Sequence, residues 1–175
     1  MKNSELRVYK DNSRPVVFED KSIKKNIKRE FKDSASFGKR MEFSIIGELL
    51  MQKLDVYTPL VDDHGVDAVI KKKDGTFIEL QIKARSDAIK NIATFANINV
   101  KNQINDKNNK NFYYIFRSEK LRKTWVLGFN DFIENSKENK TGKNMGNRTI
   151  VFSTIKGKLN NKLKKFEVNN FDIFK

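Results

Sequence analysis

The chain has no cysteine, little histidine and no long apolar run, and each shortage excludes a class of protein. The absence of cysteine in 175 residues excludes disulfides, thiolate metal sites and cysteine nucleophiles. A single histidine, His64, excludes a histidine-rich metal cluster and leaves little room for a serine–histidine–aspartate triad. No run of apolar residues approaches the roughly 18 that a membrane span requires. The first residues lack the apolar segment of a secretory signal, so we expect a cytoplasmic protein with no membrane partner.

The residues that are abundant indicate one folded domain with a polyanionic partner. Hydrophobic residues make up 38% of the chain and include 14 phenylalanines, which is enough for a real core. Lysine and arginine number 36 against 22 acidic residues, a formal net charge of +14. Nucleic acid is the first partner that such an excess indicates, and an anionic membrane surface is the second. A coding sequence rich in lysine and asparagine codons is the alternative explanation.

The positive charge is unevenly distributed along the chain. Residues 1–41 carry net +6, residues 42–87 carry net −3, and residues 88–175 carry net +11. A protein that only binds phosphate has no need of an acidic segment between two basic ones. A metal-dependent nuclease does, because carboxylates hold cations while lysine and arginine hold the phosphate backbone.

The periodicity predicts an α/β domain over residues 38–175, preceded by a basic N-terminal arm over residues 1–37. We expect a mixed central β-sheet of four to six strands, flanked by helices. Asp74-Gly75 predicts the tight turn of a hairpin. The predicted helices cover 38–54 and 130–135, the predicted strands cover 55–59, 66–70, 76–84, 112–116, 124–127 and 149–153, the predicted loops cover 101–111 and 136–148, and 154–165 is a polar segment with helical potential.

One face of the predicted hairpin gathers polar side chains suited to metal chemistry. In strand 76–84 the alternation places Glu79, Gln81 and Lys83 on one face. Asp67 lies in the preceding strand, and neighbouring strands are about 5 Å apart, so Asp67 is expected to approach Gln81 and Lys83. Carboxylate and amide oxygens suit a hard cation such as Mg²⁺, and a nearby lysine orients water or stabilises charge on a phosphate.

This spacing resembles the PD-(D/E)xK nuclease superfamily, whose pattern is an acidic residue in one strand and an acidic residue or glutamine two places before a lysine in the next. The stretches FGKRMEFSIIGELL, DVYTPLVDDHGVDAVI and DGTFIELQIKAR, with a weaker echo in FYYIF and WVLGFNDF, are similar to its uncharacterised endonuclease-like branch with a QxK motif. The resemblance covers about residues 37–86. It implies a restriction-endonuclease-like core in which a helix precedes the hairpin that carries the site.

The resemblance also implies roles for individual residues. Asp67 and Gln81 match the metal ligands, with Mg²⁺ as the expected ion and Mn²⁺ as the alternative, and Lys83 matches the active-site lysine. Glu42 matches the helical glutamate, four residues after Gly38 in the G-x-x-x-E pattern. Glu48 is the competing position, but at about 100° per residue it lies roughly 240° further round the helix, so both cannot face one site.

Gln81 departs from the commonest form of the motif. It removes one negative charge, so the metal should be held more weakly than by glutamate. Glu79 is on the same face and is a candidate to compensate for that loss. A site that has become a binding surface is the alternative.

The function implied is hydrolysis of DNA phosphodiester bonds by a metal-dependent endonuclease of restriction or homing type. Lys71, Lys72, Lys73, Arg85 and the lysine-rich C-terminal third are expected to bind the DNA backbone. Cutting both strands needs two sites, so a homodimer is expected. The alternatives are a Holliday-junction-type resolvase and a non-catalytic nucleic-acid-binding module on the same fold.

Overall fold

The computed structural model describes residues 34–61, 64–87, 93–105, 109–154 and 157–175. The chain separates into two compact units, Met1–Lys32 and Asp33–Lys175, and the described residues belong to the second. The predicted arm lies outside the described residues up to residue 33, and its last four residues form the first turn of a helix. None of the helices within the described ranges is long and apolar enough to cross a bilayer.

The described part of this unit begins with a helix and continues with groups of strands separated by two short helices. In chain order the described elements are α1 (Ser34–Met51), β1 (Asp55–Tyr57), β2 (Ala68–Lys71), β3 (Phe77–Arg85), β4 (Thr94–Ile98), α2 (Lys101–Asn105), β5 (Phe112–Ser118), β6 (Lys123–Gly128), α3 (Phe129–Asn135), β7 (Lys137–Glu138), β8 (Arg148–Val151) and β9 (Glu167–Val168). Short 3₁₀ turns occur at Asn109–Asn111, Asn161–Phe166 and Asp172–Phe174.

Six of these strands form a mixed sheet in the order β1-β2-β3-β5-β6-β9. β3 and β5 are parallel, and every other pair of neighbours is antiparallel. Parallel neighbours need a crossover connection, and the one between β3 and β5 contains β4 and α2. β4 belongs to a separate antiparallel sheet of order β4-β8-β7. The expected α/β class, with a mixed central sheet flanked by helices, is confirmed.

Each face of the central sheet is covered by its own core. On one face, Ile45 and Leu49 of α1 pack against Leu80 and Ile82 of β3. The opposite face is covered by an aromatic core that joins the central sheet to the second sheet and α3. Its large members are Phe95, Phe112, Tyr114, Phe116, Trp125, Phe129, Phe132 and Phe152. Burial of one such side chain stabilises the fold by about 2–3 kcal/mol, so this core holds β4 beside β3.

The predicted helix 38–54 exists, but its bounds are shifted toward the N-terminus. α1 ends because Lys53 takes a left-handed conformation (φ 63°), and the N–H groups of Lys53 and Leu54 donate to the carbonyls of Leu50 and Leu49. This pair of bonds is a Schellman-type C-terminus. It turns the chain toward β1, which lasts only three residues.

Two of the loop predictions were wrong. The predicted loop 101–111 contains α2 and a 3₁₀ turn, and the predicted loop 136–148 contains β7. Within the segment of helical potential, 154–165, the described residues form a 3₁₀ turn from Asn161 onward. β4 was not predicted at all. In the two loops a polar composition concealed pairing or packing with other elements.

Candidate active site

Asp67 and Gln81 lie side by side in the hairpin of β2 and β3. The turn forms at the predicted place, where Gly75 donates to the carbonyl of Lys72 and Lys72 donates to that of Thr76. Both Asp67 and Gln81 are buried, with relative exposures of 8% and 7%. Their proximity follows from the register, in which Ala68 pairs with Leu80.

Asp67 was predicted to lie within a strand, but it lies one residue before β2. The chain bends at Gly65, whose φ is +73°, so regular pairing begins only at Ala68. Two hydrogen bonds nevertheless anchor Asp67 to β3. Its N–H donates to Leu80 O (2.8 Å), and its Oδ2 accepts from Ile82 N (2.6 Å). The carboxylate is therefore held at the level of Gln81 on β3.

Gln81 carries a buried acceptor that lacks a hydrogen-bond partner within the described ranges. Its Oε1 is almost fully buried and receives no N–H or O–H. Such an atom is unfavourable by about 1–3 kcal/mol unless something binds it. Gly65 approaches the other end of this carboxamide so closely that a Cβ there would collide with Nε2 of Gln81. An oriented amide oxygen beside a carboxylate fits the oxygen-only ligand preference of Mg²⁺.

Lys83 and Arg85 continue the same face of β3 beyond Gln81. All three side chains line a cavity of about 260 Å³, whose other wall is the β4 segment 95–99. The Arg85 Nε donates to Thr94 O (2.9 Å), and its guanidinium lies 5.3 Å from the centre of the Phe95 ring. Burial lowers the pKa of Arg85 from its usual value. Among the described residues, no carboxylate pairs with Lys83 or Arg85.

The two helical glutamates make different contacts. Glu48 forms a bidentate pair with Arg117 of β5, with Nη1–Oε1 and Nη2–Oε2 distances of 2.5 and 2.7 Å. Glu42 pairs with Lys39 on the same helix (2.6 Å). Glu48 is thus engaged in fastening α1 to the sheet. Within the described residues Glu42 makes no hydrogen bond to the hairpin residues, and no group of three histidine or acidic side chains is close enough to hold a metal.

The lysines predicted to bind DNA lie at the far end of the hairpin. Lys71 ends β2, and Lys72 and Lys73 lie in the turn. Lys71 pairs with Phe77, six residues before Lys83, which corresponds to about 20 Å along the strand. Of the four cations singled out from the sequence, the structure therefore brings only Arg85 into the cavity.

Two residues of the site carried no signal in the sequence. Gly65 followed a polar turn, where glycine is common. Asn97 lies in the cavity wall with a φ of 60°, at the register shift between Phe95 and Ile98. Its Oδ1 accepts from Asn139 Nδ2 (3.3 Å), which connects the β7–β8 loop to the cavity. Bulges are frequent beside active sites because they redirect a side chain. A single asparagine in the sequence does not predict a bulge.

Comparison with known proteins gives matches among solved structures and none among family models or curated proteins. One of the solved structures similar to it is that of the bacterial homing endonuclease I-Ssp6803I, with a TM-score of 0.45 and 19% sequence identity. The alignment covers 66% of this chain and 89% of that one. Identity at this level says nothing about individual site residues.

Proposed function

We propose that this chain is a metal-dependent DNA endonuclease whose active site is the Asp67, Gln81 and Lys83 face of the β2–β3 hairpin, as in the PD-(D/E)xK pattern. The observation that carries the proposal is the buried, unpartnered Oε1 of Gln81 beside the anchored carboxylate of Asp67. A structural hairpin gains nothing from burying an acceptor without a donor. A cation-binding hairpin requires that arrangement.

Each residue of the site has a distinct task in phosphodiester hydrolysis. Asp67 and Gln81 would hold Mg²⁺ or Mn²⁺, with Glu42 as a further ligand from α1. The bound ion would polarise a phosphate oxygen and lower the pKa of its water. Lys83 would orient the attacking water and stabilise the charge that develops on the phosphate. The new bond joins the water oxygen to phosphorus, and the water loses a proton to solvent. The bond to the leaving deoxyribose oxygen breaks, and that oxygen takes up a proton from solvent.

Metal affinity should be moderate, because Gln81 supplies an oxygen without a charge.

One copy of the site suffices to nick one strand. A homodimer would supply the two sites that a double-strand cut requires. DNA is the proposed partner because two cations, Lys83 and Arg85, line the cavity without a carboxylate partner among the described residues.

The test is nicking of supercoiled plasmid by the full chain in Mg²⁺ or Mn²⁺. Asp67→Asn removes the charge but keeps an oxygen for the Ile82 N–H, and Lys83→Met keeps the aliphatic stem, so both should fold. We expect each to lower the nicking rate by about 10²–10³-fold, the effect of losing one group that stabilises the transition state. Lys71→Met removes the same charge at the far end of the hairpin and is the matched control.

Other outcomes would distinguish the alternatives. Retention of full activity by both site variants would refute the assigned site. Cleavage of four-way junctions but not of plasmid would indicate a resolvase. Tight, salt-sensitive binding without cleavage of duplex or branched DNA would indicate a non-catalytic binding module.

A further inference from the structure

The two cations of the cavity are spaced like neighbouring phosphates. Lys83 and Arg85 are two residues apart on one face of β3, which places their Cα atoms about 6.6 Å apart. Successive phosphates of one nucleic-acid strand have a similar separation. An extended strand thus presents its two cations in step with an extended sugar–phosphate backbone.

Arg85 is held in place before any ligand arrives. The bond from its Nε to Thr94 O and the Phe95 ring under its guanidinium restrict the side chain from two directions. The backbone is fixed as well, because Arg85 O accepts from Glu119 N (2.9 Å). Its terminal amino groups form a rigid fork suited to bidentate phosphate recognition, and little entropy is lost when it binds.

Nothing in the described part of the chain neutralises this fork. Two other partly buried arginines have carboxylate partners, Glu48 for Arg117 and Glu138 for Arg148. Arg85 has a carbonyl and a ring instead, and it shares its cavity with Lys83, which likewise has no carboxylate partner. A half-buried cation without a counter-ion is unfavourable for folding, so its retention here favours an anionic ligand.

We propose that Lys83 and Arg85 bind two successive phosphates of the same DNA strand, with the phosphate to be cut at Lys83 and its neighbour at Arg85. The cleaved strand then follows β3, with the β4 wall on its other side. This inference rests on the proposed function for the assignment of the cut phosphate. It distinguishes Arg85 from Lys71, Lys72 and Lys73, which lie at the far end of the hairpin.

The test measures the binding of small phosphate ligands, so it does not require a DNA sequence that the protein cuts. Thymidine 3′,5′-bisphosphate carries two successive phosphates, and thymidine 5′-monophosphate carries one. We expect the full chain in Mg²⁺ to bind the bisphosphate at least tenfold more tightly, as measured by calorimetry or by ³¹P and amide chemical shifts. Inorganic pyrophosphate, whose two phosphates are too close together for both residues, should not gain this advantage.

Variants separate position from charge. Arg85→Met should remove the tenfold difference, Arg85→Lys should remove most of it, and Lys71→Met, which deletes the same charge about 20 Å from Lys83, should leave it intact. If Arg85→Met does not fold, Arg85→Lys and the pyrophosphate comparison on the unaltered chain still decide. An equal preference in Arg85→Met, or none in the unaltered chain, overturns the inference.

The two proposals can fail separately. Plasmid nicking with no preference for the bisphosphate would support the nuclease and contradict the binding of two successive phosphates by Lys83 and Arg85. A preference for the bisphosphate that depends on Arg85, in a chain that never cuts DNA, would leave the phosphate pair on a binding module.

Discussion

At the scale of single residues, the site depends on a contact between a glycine and an amide. Gly65 has a φ of +73°, a conformation that L-residues with a side chain rarely adopt, and its hydrogen faces the carboxamide of Gln81. The close approach holds Nε2 on the Gly65 side. Oε1 is then left on the other side of the carboxamide, where the proposed ion would bind.

We expect Gly65→Ala to displace the Gln81 carboxamide and to lower nicking activity by about tenfold or more, since a small misplacement of a ligand has large effects. The variant should also lose about 1–2 kcal/mol of unfolding free energy, because alanine is strained at this φ. Gly75→Ala is the matched control: its φ is +84°, but an added Cβ meets nothing within 4 Å. Urea unfolding and plasmid nicking of both variants measure the two effects. Equal loss of activity in the two would show that the Gly65 contact does not position Gln81.

At the scale of elements, α1 is fastened to the sheet by a charge pair as well as by its apolar face. Arg117 donates through both terminal nitrogens to Glu48, and its Nε donates to Thr124 Oγ1 of β6 (3.0 Å), so one side chain joins α1, β5 and β6. Glu42, one to two turns earlier, pairs with Lys39 of the same helix and with no other described residue. The two glutamates that compete for one role in the sequence therefore differ in their contacts. Glu48 bonds to the sheet, whereas Glu42 bonds within its own helix.

This difference predicts opposite phenotypes for two conservative variants. Glu48→Gln should lower the unfolding free energy by about 1–3 kcal/mol, the range for hydrogen bonds to charged groups, and should leave nicking unchanged in the folded protein. Glu42→Gln should change stability by about 0.2–0.5 kcal/mol, because that is the contribution of an ion pair between residues one helical turn apart, but should lower nicking. Chemical denaturation measures the change in unfolding free energy, and nicking assays measure the change in activity. The reverse pattern would assign Glu48 to the site.

At the scale of the whole molecule, the acidic and the basic parts of the chain belong to different elements. The net −3 segment over residues 42–87 contains most of α1 and the hairpin, and the net +11 segment over residues 88–175 contains the second sheet. The β7–β8 loop carries Lys140 and Lys143 on its exposed surface and reaches the cavity wall through Asn139 and Asn97. This loop would extend the proposed phosphate-binding surface beyond the cavity.

We expect DNA affinity to fall steeply with salt, because each neutralised phosphate contributes about 0.9 to the slope of log affinity against log salt. Replacing Lys140 and Lys143 together by glutamine should reduce the magnitude of that slope by about 1–2. Lys53→Gln, in the turn between α1 and β1, should leave it unchanged. Fluorescence anisotropy with labelled duplex DNA over a range of salt concentrations measures the slopes. An unaltered slope in the double variant would place the DNA elsewhere.

Much of the architecture was predictable because it is encoded locally. The alternation of β3 is a property of a few consecutive residues, and it places Gln81 and Lys83 on one face of the strand whatever packs around it. The Asp74-Gly75 turn and the apolar stripe of α1 are equally local. Where a segment was polar, as in 101–111, composition alone could not reveal the helix.

The sequence alone therefore predicts an α/β chain that carries a carboxylate, an amide and a lysine at spacings suited to binding a cation and a phosphate. Only the tertiary structure decided which residues meet. It anchored Asp67 to Ile82, engaged Glu48 with Arg117, separated Lys71 from the site and placed β4 beside Arg85. The physical reason is range, since periodicity and turn chemistry act over a few residues, whereas these contacts join side chains from different elements that come together only when both cores form.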